Sequence, residues 1–99
     1  MTVAPWAVAR SERDLGAPLW ALAKGLEEVA RYNAARGAGR DVKQLKGYEN
    51  LWEPRRHGRP VRINFKLTPE GPVVVGIFAK QNDEHQKRLL DRIAGWLSD

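Results

Sequence analysis

The stretch that decides the fold is VRINFKLTPEGPVVVGIFAK, residues 61–80. Its first eight residues alternate apolar and polar side chains, which is the period of a β-strand with one buried face. Residues 69–71, Pro-Glu-Gly, predict a tight turn, and residues 73–79 are apolar on both sides, as in a central strand. We therefore expect two neighbouring strands, the first with a core face (Val61, Ile63, Phe65 and Leu67) and a polar, basic surface face (Arg62, Asn64, Lys66 and Thr68).

A helix is predicted before these strands. Ser11 is followed by acidic residues and is the predicted N-cap of this helix. The Gly37–Gly39 pair is predicted to end it. The segment forms one helix, or two short ones bent near residues 16–18 or at Gly25. Five apolar residues spaced by four, three, four and three positions lie on one stripe that packs on the sheet: Leu15, Leu19, Leu22, Leu26 and Val29.

Other segments complete the order of elements. Residues 2–10 predict an edge strand, or one that begins only after their proline, and residues 40–47 predict a basic loop. Residues 50–57 predict a strand that is an edge or is bulged at its own proline. Residues 83–98 predict a closing helix. The expected fold is α+β, a small antiparallel sheet with an N-terminal helix or helix pair on one face and a C-terminal helix whose inner stripe is Leu90, Ile93 and Leu97.

Length and composition exclude several function classes. A chain of 99 residues with 42% hydrophobic composition predicts a single domain, residues 1–99. The absence of cysteine excludes a disulfide framework and a thiolate nucleophile. The longest apolar run, residues 73–79, is too short to cross a membrane, so we expect a soluble, cytoplasmic protein. His57 and His85 are far apart in the chain without a spaced cluster of acids, so neither a metal site nor a cofactor is expected.

The positive charge of the chain is concentrated in one stretch. The net charge is +5, and residues 40–66 hold eight basic residues against three acids, an excess equal to that of the whole chain. Such a local excess favours a polyanionic partner, either nucleic acid or an acidic protein, over a role in solubility alone.

Residues 45–81, which overlap this basic stretch, resemble a known family. LKGYENLWEPR (residues 45–55), GRPVRINFKL (58–67) and VVVGIFAK (73–80) are similar to the RelE/ParE superfamily of type II toxins, especially its HigB-like and phage-derived branches. Members carry a Leu-x-Gly segment, a Leu-Trp-Glu-x-Arg strand, an early arginine in the next strand and an apolar last strand. The resemblance covers residues 45–81 well, and residues 1–44 only by the order of elements.

This resemblance implies a toxin that cuts mRNA in the ribosome and is neutralised by an acidic or helix-turn-helix antitoxin. Metal-free cleavage needs a base for the 2′-OH, cations for the phosphorane and a donor for the leaving oxygen. Glu53 is either the base or an ion-pair partner of Arg55 or Arg62, and His85 is either the acid or an exposed residue at a helix start. The candidate catalytic residues are Glu53, Arg62 and His85, and the candidate RNA-binding residues are Arg55, Lys66, Lys80, Gln81 and Lys46.

Three departures from the family pattern leave other functions open. Pro54 stands where relatives carry an apolar residue, and Gln81 stands where some carry arginine. The C-terminal tyrosine that several members use against a base is also absent. The alternatives are a ParE-like inhibitor of DNA gyrase and a basic module that binds nucleic acid or an antitoxin without turnover.

Overall fold

The computed structural model describes residues 1–35, 42–55 and 60–98. These residues form one five-stranded sheet and three helices, which confirms the predicted α+β class. The helices are α1 (Ala7–Asp14), α2 (Leu19–Ala34) and α3 (Asp83–Leu97). The strands are β1 (Thr2–Val3), β2 (Val42–Gln44), β3 (Trp52–Pro54), β4 (Val61–Thr68) and β5 (Gly71–Ala79). No helix in the described part of the chain is both long and apolar enough to cross a membrane.

The sheet has the order β1-β5-β4-β3-β2. Strands β2 to β5 form an antiparallel meander, and β1 joins β5 in parallel at the edge. The meander has one strand more than the sequence predicts, because Val42–Gln44 pairs with β3 where a basic loop was expected. That prediction is wrong because β2 is a short edge strand with two exposed polar residues, and it carries too little alternation to be recognised.

Ser11 is not a helix cap, as predicted, but a buried residue inside α1. Its Oγ accepts a hydrogen bond of 3.0 Å from the backbone N–H of Ile77 in β5. Strand β1 ends at Val3 and pairs only with Val73 and Val74 of β5, so it does not reach Ile77. The serine hydroxyl therefore replaces the missing strand partner at this edge.

The N-terminal helical segment divides into α1 and α2 at residues 16–18, one of the two predicted bends. Gly16 has φ +67°, which suits glycine, and Pro18 is the residue before the first turn of α2. Only part of the predicted stripe is buried, because the buried face of α2 runs through Ala21, Leu22, Gly25, Glu28 and Val29. Leu15, Leu22 and Val29 lie in the core, whereas Leu19 is 74% exposed and Leu26 is 37% exposed.

Helices α2 and α3 cover opposite faces of the sheet. A Cβ built on Gly25 of α2 would lie 2.6 Å from Ile77 Cγ2, and one built on Gly76 would lie 2.5 Å from Ile93 Cδ1 of α3. Gly76 and Ile77 are successive residues of β5, and their side chains point to opposite faces. The sheet is therefore the middle layer of three.

This arrangement corrects the expected faces of β4. Asn64 was predicted on a polar surface but is fully buried, since its partner across the sheet is Gly76, against which α3 packs. Leu67 was predicted in the core but is 44% exposed, near the end of the strand. Val61, Ile63 and Phe65 are buried as expected. Helix α3 has nearly its predicted bounds, with Leu90 and Ile93 buried and Leu97 partly so.

Candidate functional site

Four of the predicted site residues lie together where β4, β5 and α3 meet, and we call Arg62, Lys80, Gln81 and His85 the corner site. Arg62 pairs with Phe78 across the β4–β5 ladder. The Lys80 backbone N–H donates to Pro60 O at 2.7 Å, which holds the end of β5 beside the start of β4. The chain then turns through Gln81 into α3. The backbones of three elements thus meet at one end of the sheet.

His85 is held in one orientation at this corner. Its ring packs edge-on against Phe78, with the ring centroids 6.2 Å apart, and the residue is 9% exposed. The Gln81 backbone N–H donates to His85 Nδ1 at 3.3 Å, so the neutral ring carries its proton on Nε2. Asn82 is the cap of α3, because its Oδ1 accepts from the His85 N–H at 2.8 Å. The expectation of an exposed His85 is therefore wrong, since the ring lies against β5.

Lys80 is paired with a carboxylate that is itself in solvent. Its Nζ lies 2.7 Å from Asp83 Oδ1, and the Asp83 side chain is 97% exposed. The hydrogen bond from Lys80 lowers the pKa of the Asp83 carboxyl. Exposed ion pairs of this kind contribute little to stability, so an incoming phosphate can compete for the ammonium group.

Glu53 lies deeper in the protein than a reactive base would be expected to lie. Its side chain is 7% exposed, and its Oε1 is 3.3 Å from Lys43 Nζ. The sequence analysis named Arg55 and Arg62 as ion-pair partners, whereas the structure gives Lys43, which faces Glu53 across the β2–β3 ladder. Glu53 Oε2 is buried and makes no hydrogen bond within the described residues.

A buried polar row continues from Glu53 into the sheet. The pairing of Trp52 with Phe65 places Glu53 beside Asn64, one residue further along the two strands. Neither Oδ1 nor Nδ2 of Asn64 has a hydrogen-bond partner among the described residues. The sequence does not reveal this row, because Asn64 occupies a polar position in the alternation of β4 and was therefore predicted to lie on the surface. Its position under α3 appears only in three dimensions.

The remaining predicted residues do not join the corner site as a group. Arg55 is exposed and directly follows β3. Lys66 lies four residues beyond Arg62 in β4, or about 13 Å along the strand. It lines a separate groove of about 510 Å³ against the end of α3. Lys46 is exposed in the turn after β2. His57 falls in residues 56–59, outside the described residues.

A groove of about 590 Å³ opens beside the corner site. Lys80, Gln81 and His85 form part of its lining, Leu15 and Pro18 come from the turn between α1 and α2, and Trp20 comes from the first turn of α2. Sequence reasoning did not single out Trp20, because a tryptophan in a helical segment is more often part of the core. No three histidine or acidic side chains in the described ranges lie close enough to hold a metal ion.

Comparison of the chain with protein-family models, curated proteins and solved structures finds no match. The resemblance to RelE/ParE toxins therefore rests on the residues quoted from the sequence.

Proposed function

We propose that the protein is the toxin of a type II toxin–antitoxin system, a ribosome-dependent mRNA endoribonuclease that inhibits translation in the cytoplasm. The observation that carries this proposal is the convergence of Arg62, Lys80, Gln81 and His85 at one corner of the fold. These residues were selected from the sequence by their type and by the family resemblance, and they lie in two chain segments, one in β4 and the other running from the end of β5 into α3.

The chemistry of the corner suits cleavage by the ribose 2′-OH, which needs no metal. Arg62 would offer a planar guanidinium to a phosphate, and Lys80 is a second cation at the same end of the sheet. Because Nδ1 is engaged, the neutral His85 ring presents an Nε2–H that can donate a hydrogen bond to the leaving 5′-oxygen, while water takes the proton of the 2′-OH and supplies the proton of the leaving group. Positioned donors of this kind stabilise the charge that develops in the transition state.

Glu53 is a less suitable base than the family resemblance implies. Its carboxylate is nearly buried and lies 3.3 Å from Lys43 Nζ, so it is poorly placed to reach the proton of a ribose 2′-OH. In this proposal Glu53 mainly supports the electrostatics of the sheet, and Arg62 and His85 carry the larger share of catalysis. A slow enzyme is the expected consequence.

The proposed partners are mRNA on the ribosome and an acidic antitoxin. Residues 40–66 carry the whole positive excess of the chain, so an acidic segment that covers this stretch would neutralise it. Because dissolved salt screens the attraction between exposed charges, association of the protein with the antitoxin should slow as the salt concentration is raised.

Three parallel assays test the proposal: mRNA cleavage with purified ribosomes, DNA gyrase supercoiling, and growth of cells that express the chain with and without its neighbouring gene. We expect ribosome-dependent cleavage, unaffected supercoiling, and growth inhibition that the neighbouring gene relieves. Inhibited supercoiling without cleavage would replace the proposal with a gyrase inhibitor. No effect in any assay would leave only a non-catalytic binding module.

A further inference from the structure

Trp20 is an exposed aromatic residue in the lining of a groove, a position typical of a binding residue. It is the second residue of α2, it is 57% exposed, and it lines the groove beside the corner site. The other three tryptophans, Trp6, Trp52 and Trp96, are partly buried against the core. A large aromatic surface left in water at the mouth of a groove is typical of a recognition site.

The walls of this groove favour an anionic ligand with a flat, apolar part. Leu15, Pro18 and Trp20 supply apolar surface on one side, and Lys80, Gln81 and His85 supply polar groups on the other. No carboxylate is among the residues that line it. The nearby Asp83 side chain is exposed and already paired with Lys80, so it opposes an anion only weakly.

We propose that this groove is a nucleotide subsite, in which one unpaired RNA base stacks on the indole of Trp20 and its phosphate binds Lys80. An aromatic face beside a cation is the usual means of holding a single-stranded nucleic acid. Gln81 lies beside Lys80 in the same lining and can hydrogen-bond the edge of the base. The choice of RNA rests on the proposed function, whereas the stacking itself does not require cleavage.

An acidic protein segment is the alternative ligand of this groove, and a substitution at Leu19 distinguishes it from RNA. Leu19 is 74% exposed next to Trp20, yet it is not part of the groove lining. A docked protein would cover both residues as one apolar patch. A stacked base would contact Trp20 alone, so Leu19→Ala is a matched control for Trp20→Leu.

The test is equilibrium binding of a labelled 12-residue oligouridine RNA, measured by fluorescence anisotropy on the full chain. Trp20→Leu should weaken binding roughly 5- to 100-fold, the range expected when one base–aromatic stack is lost. Trp20→Phe should retain most of the affinity, and Leu19→Ala should bind as the wild type does. Lys80→Gln should weaken binding and also lower its dependence on salt, because one phosphate contact is removed.

A ligand without bases separates stacking from charge. The abasic ribose-phosphate oligomer of the same length should bind the wild type and Trp20→Leu with equal, low affinity. RNA binding should quench tryptophan emission of the wild type and do so much less in Trp20→Phe. Thermal melts of each variant confirm that the fold is intact.

Several results would overturn the subsite: no binding of the RNA by the wild type, equal binding by Trp20→Leu, or equal affinity for the abasic oligomer. Loss of a protein partner by both Leu19→Ala and Trp20→Leu, with RNA binding unchanged, would assign the surface to protein docking. Failure of the proposed toxin function is distinguishable from failure of the subsite. A wild type that binds the RNA through Trp20 but neither cleaves mRNA nor stops growth would end the toxin proposal and leave the subsite standing.

Discussion

A methyl group added at Gly76 should destabilise the protein by pushing α3 away from the sheet. The Cβ of Gly76→Ala would lie 2.5 Å from Ile93 Cδ1 and 3.1 Å from Ile93 Cγ1, and Ile93 is fully buried. The backbone of Gly76 does not have positive φ, so steric overlap is the cause of the cost. Overpacking of this kind costs about 1–3 kcal/mol in the free energy of unfolding.

Combining Gly76→Ala with Ile93→Val tests whether steric overlap causes the loss of stability. Ile93→Val removes Cδ1, the closest atom, and alone should cost about 0.5–1.5 kcal/mol. If the clash is real, Gly76→Ala together with Ile93→Val should cost less than the sum of the two single changes, with a coupling of about 1 kcal/mol or more. Urea unfolding followed by circular dichroism measures all four proteins. Strict additivity, or a Gly76→Ala protein within about 0.5 kcal/mol of the wild type, would refute the packing of α3 on this face.

Three further predictions address other parts of the fold. Leu22→Ala should cost about 2–5 kcal/mol and Leu26→Ala less than about 1 kcal/mol in the same unfolding assay, since only Leu22 is buried; equal costs would contradict the assignment of the buried face of α2. Ser11→Ala should cost about 1–3 kcal/mol because it leaves a buried β5 amide without an acceptor, and a neutral result would rule out that hydrogen bond. Burial and the hydrogen bond to Asp91 raise the pKa of Tyr48 from 10.0 to about 12. The resulting stabilisation is complete below pH 10.0 and is lost as the pH rises towards 12, so Tyr48→Phe should lack this alkaline loss in unfolding experiments at a series of pH values.

The elements with a clear period could be predicted from the sequence. The alternation in residues 61–68 and the apolar run in residues 73–79 became β4 and β5, and residues 83–98 became α3, nearly without change of bounds. These segments carry a repeated signal because burial selects apolar side chains at regularly spaced positions over most of their length. Strand β2 has three residues, two of them exposed, so burial imposes no comparable pattern on it.

Contacts between distant parts of the chain were not predictable in the same way. Ser11 followed by acidic residues is compatible with a helix cap and with a helix interior, and only the open edge of β5 decides between them. Likewise, Asn64 shows the polar phase of a strand, but the packing of Ile93 on Gly76 determines that this face is covered. The four residues of the corner site were found by type and by resemblance, whereas Trp20 was not, since its groove exists only once the turn between α1 and α2 lies beside the end of β5.

Cleavage of mRNA by Arg62→Ala, compared with Lys66→Ala, tests the proposed toxin activity most directly. Both residues are basic and partly exposed, and both belong to the same phase of β4, but only Arg62 lies at the corner site. With ribosomes and saturating mRNA, Arg62→Ala should fold normally and cleave roughly 100- to 1,000-fold more slowly, as when one preorganised donor is removed. Lys66→Ala should cleave at the wild-type rate. Wild-type cleavage by a folded Arg62→Ala protein, or an equal loss in both variants, would contradict the assignment of the corner site.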